Sequence, residues 1–170
     1  MSGRRPQAAQ WGTLHALRTI PEIRLLVPGF GLSLVWEFLQ SSFYADTFVA
    51  PWTTVALNRL HCAGGDALIL LAAFWLVALR WGRSWVKTAP WAPLTAFLTL
   101  GIAYTAYSEH INVHVGQRWA YSRWMPTLAG IGLVPLLQWV MIPVASVQLA
   151  RRAKAMVTMQ RLVQGDIDDE

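Results

Sequence analysis

Four long apolar runs take up about half of this chain and constrain its fold more than any other feature of the sequence. Hydrophobic residues fill 55% of its 170 positions and charged residues only 14%, whereas about 25% of the residues in a soluble domain are charged. A soluble protein of this length has no interior large enough to bury four such runs, but a lipid bilayer accommodates them. The sequence therefore predicts an all-α integral membrane protein, a bundle of four transmembrane helices.

The apolar runs also set the bounds of the membrane domain, which we predict at residues 25–149. Its helices are predicted at residues 25–43, 66–81, 91–110 and 126–149. Pro28 then falls in the first turn of the first helix, where a missing amide proton costs little. Pro135 falls inside the fourth helix and predicts a kink there. Gly64 and Gly65 allow the backbone to turn sharply just before the second helix.

Two segments flank the predicted membrane domain. Residues 1–24 form a basic lead in which apolar residues recur about every three positions, at Trp11, Leu14, Leu17 and Ile20. This spacing predicts a short amphipathic helix in the headgroup layer, with a disordered lead as the alternative. Residues 150–170 are predicted to continue the fourth helix as a cytoplasmic tail with an acidic end.

Lysines and arginines are distributed unequally between the two sides of the predicted bundle. Eleven lie in the lead, the tail and the loop between helices two and three, and three lie in the other two loops. Because positively charged segments stay in the cytoplasm, both termini are predicted to be cytoplasmic. Basic residues that flank apolar runs contact anionic lipids, so the net charge of +5 indicates membrane lipids, and not nucleic acid, as partners.

Glu37 is the leading functional candidate because it lies within an apolar run. A charge at the centre of a membrane costs on the order of 2.5–3.5 kcal/mol, and less near the boundary, so Glu37 is expected to face the bundle interior. The same helical face carries further polar residues, namely Ser33, Gln40, Ser41 and Tyr44. This face predicts either a proton-handling carboxylate or a structural acid that bonds a neighbouring helix.

Other ionisable candidates lie on the same, outer side of the bundle, namely His61, Asp66, Glu109 and His110. Glu109 and His110 end the third helix. Asp66 would lie in the first turn of the second helix, where the helix dipole favours a carboxylate. His61 could pack over Asp66 and become a more basic imidazole, although a simple helix cap by Asp66 is the alternative. With Glu37, these four residues are the candidate catalytic acids and bases.

His110 and His114 are spaced i, i+4, which can place two imidazoles on one divalent metal ion. The pattern supplies no third ligand, so the alternative is a pair of interfacial histidines bonded to loop carbonyls. Trp119 and Tyr121, in the loop that follows, are typical of an aromatic belt that anchors the chain at the membrane surface.

Several short segments resemble a group of small, uncharacterised bacterial inner-membrane proteins with four helices. They are Trp36-Glu37 with Tyr44, Cys62 with Gly65-Asp66, the run from Trp119 to Ser122, Met125-Pro126, and Gly132-Leu133 with the run from Pro135 to Trp139. The resemblance spans about residues 30–145. It implies a multi-pass protein of a bacterial inner membrane with its outer loops in the periplasm, and it implies no activity.

The functional hypothesis is an outward-facing site of carboxylates and histidines near the outer leaflet. One interpretation is a membrane-embedded enzyme that acts on a lipid-like or small periplasmic substrate. The alternative is a non-catalytic accessory or assembly subunit that binds a membrane-protein partner, or a second copy of itself, and holds a metal or cofactor. A transporter is the least favoured class, because no ionisable residue lies deep in the cytoplasmic half of the predicted helices.

Overall fold

The computed structural model describes residues 20–168, with side chains described as far as Arg152. The helix predicted in the basic lead lies almost entirely outside the described residues. Within them the chain is mostly helical, which confirms the all-α prediction. We label the four long helices α1 (Pro21–Leu39), α2 (Trp52–Trp81), α3 (Trp91–His110) and α4 (Leu133–Asp168).

The four helices form a closed ring in which each packs against the next, α1 on α2, α2 on α3, α3 on α4 and α4 on α1. Successive helices run in opposite directions. Glu22, at the start of α1, bonds Arg83, just after the end of α2, with two nitrogen–oxygen distances of 2.8 Å. Short connections between antiparallel neighbours are typical of an up-down four-helix bundle.

The first helix begins and ends four residues earlier than predicted. Pro21 occupies its first turn, where the fixed φ angle of proline favours helix initiation. Pro28 therefore lies inside α1, and the prediction that it lies in the first turn is wrong. The chain leaves the helix after Leu39 and makes a 3-10 turn at Ser41–Phe43.

The second helix begins at Trp52, directly after Pro51, and runs unbroken for 30 residues. The predicted start at residue 66 and the predicted glycine turn are both wrong, because Gly64 and Gly65 lie in continuous helix. Glycine permits a turn but does not impose one. Asp66 consequently lies in the middle of α2, so neither a first-turn position nor a helix cap describes it.

The third helix coincides with the predicted range of residues 91–110. The fourth begins at Leu133 and not at residue 126, because Thr127–Leu128 and Ile131–Gly132 form a small antiparallel hairpin ahead of it. Pro135 therefore lies in the first turn of α4, so the kink predicted there is wrong, and Pro143 is the proline inside the helix. The helix continues to Asp168, in agreement with the predicted helical tail.

The bundle buries several polar side chains and exposes many large apolar ones. Polar residues on the buried side of α1 include Ser33 and Glu37, which are 1% and 4% exposed. Apolar residues lie on the outside, among them Leu39 and Leu79, which are 73% and 82% exposed. Among the described residues, two helices are long and apolar enough to cross a membrane, Trp52–Trp81 and Leu133–Arg152.

Candidate functional site

The polar side chains of all four helices converge on one cavity of about 420 Å³. Glu37 comes from α1, Asp66 from α2, Glu109 from α3 and Gln138 from α4. At ~1.5 Å per residue, Glu37 lies about 22 Å along α1 from Glu22, and Asp66 lies about 21 Å along α2 from Arg80. The two carboxyl groups therefore lie at the same level, toward the end of the bundle opposite to the Glu22–Arg83 pair.

Two glutamine amides connect Glu37 to Asp66. Gln40 Nε2 donates to Glu37 Oε1 at 2.8 Å and to the Gln138 side-chain oxygen at 3.3 Å. Gln138 Nε2 in turn donates a short hydrogen bond to Asp66 Oδ2. Because Gln40 and Gln138 are both 3% exposed, this chain of side chains is held away from solvent. It fixes the positions of two acids that come from different helices.

Two tyrosines hold the third acid, Glu109. Tyr121 Oη donates to Glu109 Oε2 at 2.6 Å, and Tyr44 Oη donates to Glu109 Oε1 at 3.4 Å. Tyr121 Oη also accepts the Gly132 amide proton at 2.9 Å. Burial and the hydrogen bond to Glu109 raise the pKa of Tyr121, so its hydroxyl stays protonated and remains a donor.

The two outer loops are joined above the cavity by a short antiparallel bridge between Tyr44 and Tyr121. The Ala45 amide donates to the Ala120 carbonyl, and the Ser122 amide donates to the Phe43 carbonyl, each at 2.9 Å. This pairing fixes the two tyrosines that contact Glu109, although one precedes α2 and the other follows α3.

Arg59 is 3% exposed, and its guanidinium interacts with residues of the loop between α1 and α2. Its guanidinium pairs with Asp46, donates from Nε to Ser41 Oγ at 3.1 Å and lies 5.0 Å from the centre of the Tyr44 ring. A buried arginine without its partner would be an uncompensated charge. We therefore assign Arg59 to holding the loop against α2, with its charge already balanced by Asp46.

Thr105 contributes a buried hydroxyl to the cavity wall. The residue is 6% exposed, and its Oγ1 has no hydrogen-bond partner within the described part of the chain. A buried hydroxyl without a partner costs roughly 1–3 kcal/mol in mutational data. Threonine on a helix can bond the carbonyl four residues earlier, and Thr105 does not. The described residues thus leave this hydroxyl, in a residue of the cavity wall, without a partner.

The cavity rim has one polar part and one apolar part. Asn58, His61 and Arg118 are exposed around the outer end. Leu68 and Tyr104 line the cavity between α2 and α3 and are 69% and 50% exposed on the outside of the bundle. An elongated molecule in the cavity would therefore meet carboxyl groups inside and apolar surface at the α2–α3 side.

Four of the five predicted catalytic candidates line the cavity, namely Glu37, Asp66, Glu109 and, at the exposed rim, His61. His61 lies at the rim, one and a half helical turns before Asp66 on the same helix, so the predicted packing of His61 over Asp66 across a turn is wrong. His110 is exposed and does not line the cavity, because it points away from the face that carries Glu109.

The two histidines predicted as metal ligands lie outside the cavity. Their ring centres are 5.4 Å apart, and His114 Nε2 lies 2.9 Å from the Gly130 carbonyl oxygen. One of the two imidazoles, that of His114, is therefore already hydrogen-bonded to a loop carbonyl. Among the side chains of residues 20–152, no group of three or more His, Cys, Asp or Glu is arranged to hold a metal ion.

Sequence reasoning missed several residues of the site. Arg59 and Thr105 were not among the candidates, and Tyr121 was assigned to membrane anchoring. Arg59 and Asp66 are seven residues apart and share a helical face, so extending the second helix back to Pro51 would have found Arg59. Thr105 precedes Glu109 by four residues, which places both on one face of α3. Tyr121 carries no comparable local signal.

Comparison with known proteins identified no relative of this chain. No family model matches the chain, and no curated protein and no solved structure is significantly similar to it.

Proposed function

We propose that this chain is a multi-pass protein of a bacterial inner membrane, with four spans, cytoplasmic termini and a periplasmic cavity. The many exposed large apolar side chains, together with buried carboxyl groups, support a lipid environment, since a soluble protein seldom shows both. Helices α1 and α3 have 19 and 20 residues, about 28 and 30 Å at ~1.5 Å per residue, which matches a bilayer core of about 30 Å.

Helices α1 and α3 are not among the two helices that qualify as membrane spans by length and composition, and both carry polar residues. In α1, Glu37 and Ser33 face the bundle interior, and in α3 Thr105 and Glu109 do so. A helix whose polar side chains are enclosed by its neighbours spans a membrane at a lower mean hydropathy than an isolated one. The distribution of Lys and Arg supports the orientation, because the end of the bundle that holds Glu22 and Arg83 is the positively charged one.

We further propose that the cavity is the site of a membrane-embedded enzyme that carries out acid–base chemistry on an amphipathic substrate. The observation that carries this proposal is the convergence of three carboxyl groups, from three helices, on one cavity beside a partly exposed α2–α3 surface; Glu37 and Glu109 are buried and Asp66 is partly buried. Carboxyl groups are common general acids and bases, and such cavities are the usual place for small-molecule sites.

In this proposal Glu37 and Asp66 act as a pair. One, as a carboxylate, accepts a proton from the substrate, while the other, as a carboxylic acid, donates a proton to it, so the pair keeps the same number of protons. Gln40 and Gln138 hold the two groups in position through the hydrogen bonds described above. Glu109, fixed by Tyr44 and Tyr121, contributes to binding.

The proposal is tested with purified protein in nanodiscs made from a bacterial total lipid extract in D₂O. Acid–base turnover is expected to produce a lipid or amphipathic species with a new mass or incorporated deuterium, detected by mass spectrometry. Glu37→Gln is expected to lower its rate by at least about 100-fold, in line with the usual contribution of a general acid or base. Glu22→Gln is the matched control, since Glu22 lies at the other end of the bundle.

Full activity of Glu37→Gln would contradict the acid–base role of that residue. Identical lipid profiles with the wild-type protein and with empty nanodiscs would contradict the enzyme proposal as a whole. A protein partner that co-purifies in mild detergent, together with such an unchanged profile, would instead support the accessory-subunit hypothesis.

A further inference from the structure

We infer that the cavity recognises an amphipathic amine, with a positively charged nitrogen held among the carboxyl groups and a hydrocarbon chain directed between α2 and α3. This inference names the ligand class for the site under Proposed function and rests on that site. It does not require that the ligand be chemically changed.

The first step is the charge of the cavity. Within the described residues, Glu37, Asp66 and Glu109 form no salt bridge. Arg59, a buried cation that also lines the cavity, is already paired with Asp46. Three carboxyl groups in one enclosed space need protons or a bound cation to balance their charge. A ligand with one positive charge supplies such a counter-ion.

The second step is the kind of donor that now contacts these acids. Glu37 and Asp66 accept hydrogen bonds from the neutral amides of Gln40 and Gln138, and Glu109 accepts them from tyrosine hydroxyls. A carboxylate has room for about four hydrogen bonds, so these neutral contacts leave acceptor capacity for an ammonium group. Charge-assisted bonds of that kind are about twice as strong as neutral ones.

Two residues of the cavity wall carry a buried polar atom without a partner among the described residues, Thr105 at its hydroxyl and Trp119 at its indole N–H, and the hydroxyl is the one that can accept a hydrogen bond from an amine. Thr105 Oγ1 is buried in the cavity wall on the same face of α3 as Glu109 and bonds nothing within residues 20–152. An ammonium group has several N–H donors and no acceptor. It would donate to Thr105 Oγ1 and to a carboxylate together, and thereby remove the cost of the unpaired hydroxyl.

The apolar part of the rim accounts for the hydrocarbon chain. Leu68, Ile69 and Tyr104 line the cavity at the α2–α3 side, and Leu68 and Tyr104 are also exposed outside the bundle. A chain that leaves the cavity there would continue into lipid. The volume of about 420 Å³ falls within the range of about 300–1,000 Å³ for small-molecule sites. A bare metal ion fits less well, because the described acids do not group as metal ligands.

The inference is tested with three probes of equal chain length, octylamine, octanol and octanoate, at pH 7 in a non-ionic detergent. Binding is measured as the shift of the thermal unfolding midpoint over a concentration series. We expect octylamine to stabilise the wild-type protein and the other two probes to have at most a tenth of its affinity. Thr105→Val, which removes the hydroxyl at nearly constant size, is expected to lower the octylamine affinity about tenfold.

Asp66→Asn is the charge-removing variant and is expected to abolish the preference for the amine. Glu22→Gln serves as the matched control, with an acid removed outside the cavity and an expected affinity equal to that of the wild type. Equal binding of octylamine and octanol by the wild-type protein would overturn the inference. So would an unchanged octylamine affinity in Thr105→Val, a variant that does not depend on Asp66→Asn folding.

Nanodiscs distinguish two sources of the amine. If phosphatidylethanolamine added to phosphatidylglycerol nanodiscs competes with octylamine, the natural ligand is an amine-bearing lipid, and if it does not, the ligand is a single-chain amine. Amine binding together with an unchanged lipid profile would overturn the enzyme proposal alone. Turnover of a neutral or acidic amphipathic species would overturn the amine inference alone.

Discussion

The two halves of the bundle differ in what fills them. The half near Glu22 and Arg83 is packed with apolar side chains, including Phe74, Trp85 and Phe97, which are 0–3% exposed. The rings of Trp85 and Phe97 are 5.2 Å apart at their centres. The opposite half encloses a cavity of about 420 Å³ lined by buried acids, amides and hydroxyls. We call them the packed half and the cavity half.

Because of this difference, we expect the packed half to determine stability and the cavity half to determine binding. A close-packed apolar interior stabilises the helices through many dispersion contacts. Buried polar groups stabilise only when they are fully paired. Among the described residues, Thr105 and Trp119 in the cavity half and the indole N–H of Trp85 in the packed half are not. Because most buried polar groups are concentrated at one end of the bundle, the other end can pack closely. Variants in the packed half should therefore mainly lose stability, and variants in the cavity half should mainly lose binding.

The largest expected effect is in the packed half. Phe74→Ala removes a fully buried ring and should lower the free energy of unfolding by about 3 kcal/mol or more, measured by SDS titration in mixed micelles. Leu79→Ala, on the same helix but 82% exposed, is the control and should change it by less than about 0.5 kcal/mol. Equal losses in the two variants would contradict the assignment of Phe74 to the stabilising core.

A smaller effect is expected at the boundary between the halves. A Cβ atom on Gly101 would overlap the indole of Trp139, a residue that also lines the cavity. Gly101→Val should therefore lower the free energy of unfolding by about 1–3 kcal/mol through overpacking, and it should also weaken octylamine binding by displacing Trp139.

The control for Gly101→Val is Gly64→Ala, because a Cβ atom on the helical Gly64 would meet no neighbouring side chain within 4 Å. That variant should be neutral or stabilising by up to about 1 kcal/mol in the same titration. Wild-type stability of Gly101→Val would show that Trp139 can move without cost and that the boundary is not rigid.

The smallest effect is expected at the edge of the packed half, where Glu22 bonds Arg83. Arg83 donates two hydrogen bonds to the Glu22 carboxylate at 2.8 Å. Glu22→Gln removes the charge of the acceptor and should lower the thermal unfolding midpoint slightly. Because Arg83 is exposed, the effect should be small and weakened by salt.

The prediction is checked by comparing the thermal midpoints of the wild type and Glu22→Gln at low and at high ionic strength. The gap between the two proteins should be present at low ionic strength and should narrow at high ionic strength, because salt screens a pair with an exposed partner. A gap that does not depend on salt would contradict the assigned pair.

The agreement between sequence and structure is good where the signal is local. The bounds of α3 coincide with its apolar run, and the polar face of α1 is buried as its spacing predicted. The start of α2 was wrong because Gly64-Gly65 was interpreted as a turn, although neighbouring helices keep that segment helical. The start of α4 was wrong because a hairpin of two-residue strands produces almost no hydrophobic pattern.

The candidate site was predicted in part for the same reason. Glu37 was found because an acid within an apolar run is costly unless it is enclosed. His110 was included because it neighbours Glu109 in sequence, yet adjacent residues on a helix point about 100° apart, and His110 is exposed.

The sequence by itself determined the helical class, the polar face of α1 and the side of the bundle on which the acids lie, because apolar length and helical spacing are properties of continuous segments. Tertiary structure alone decided which side chains meet. Gln138 reaches Asp66 across 72 positions and Tyr44 reaches Glu109 across 65. Such contacts depend on how each helix is rotated about its own axis in the ring. Packing between helices sets that rotation, so it cannot be inferred from the sequence of one segment.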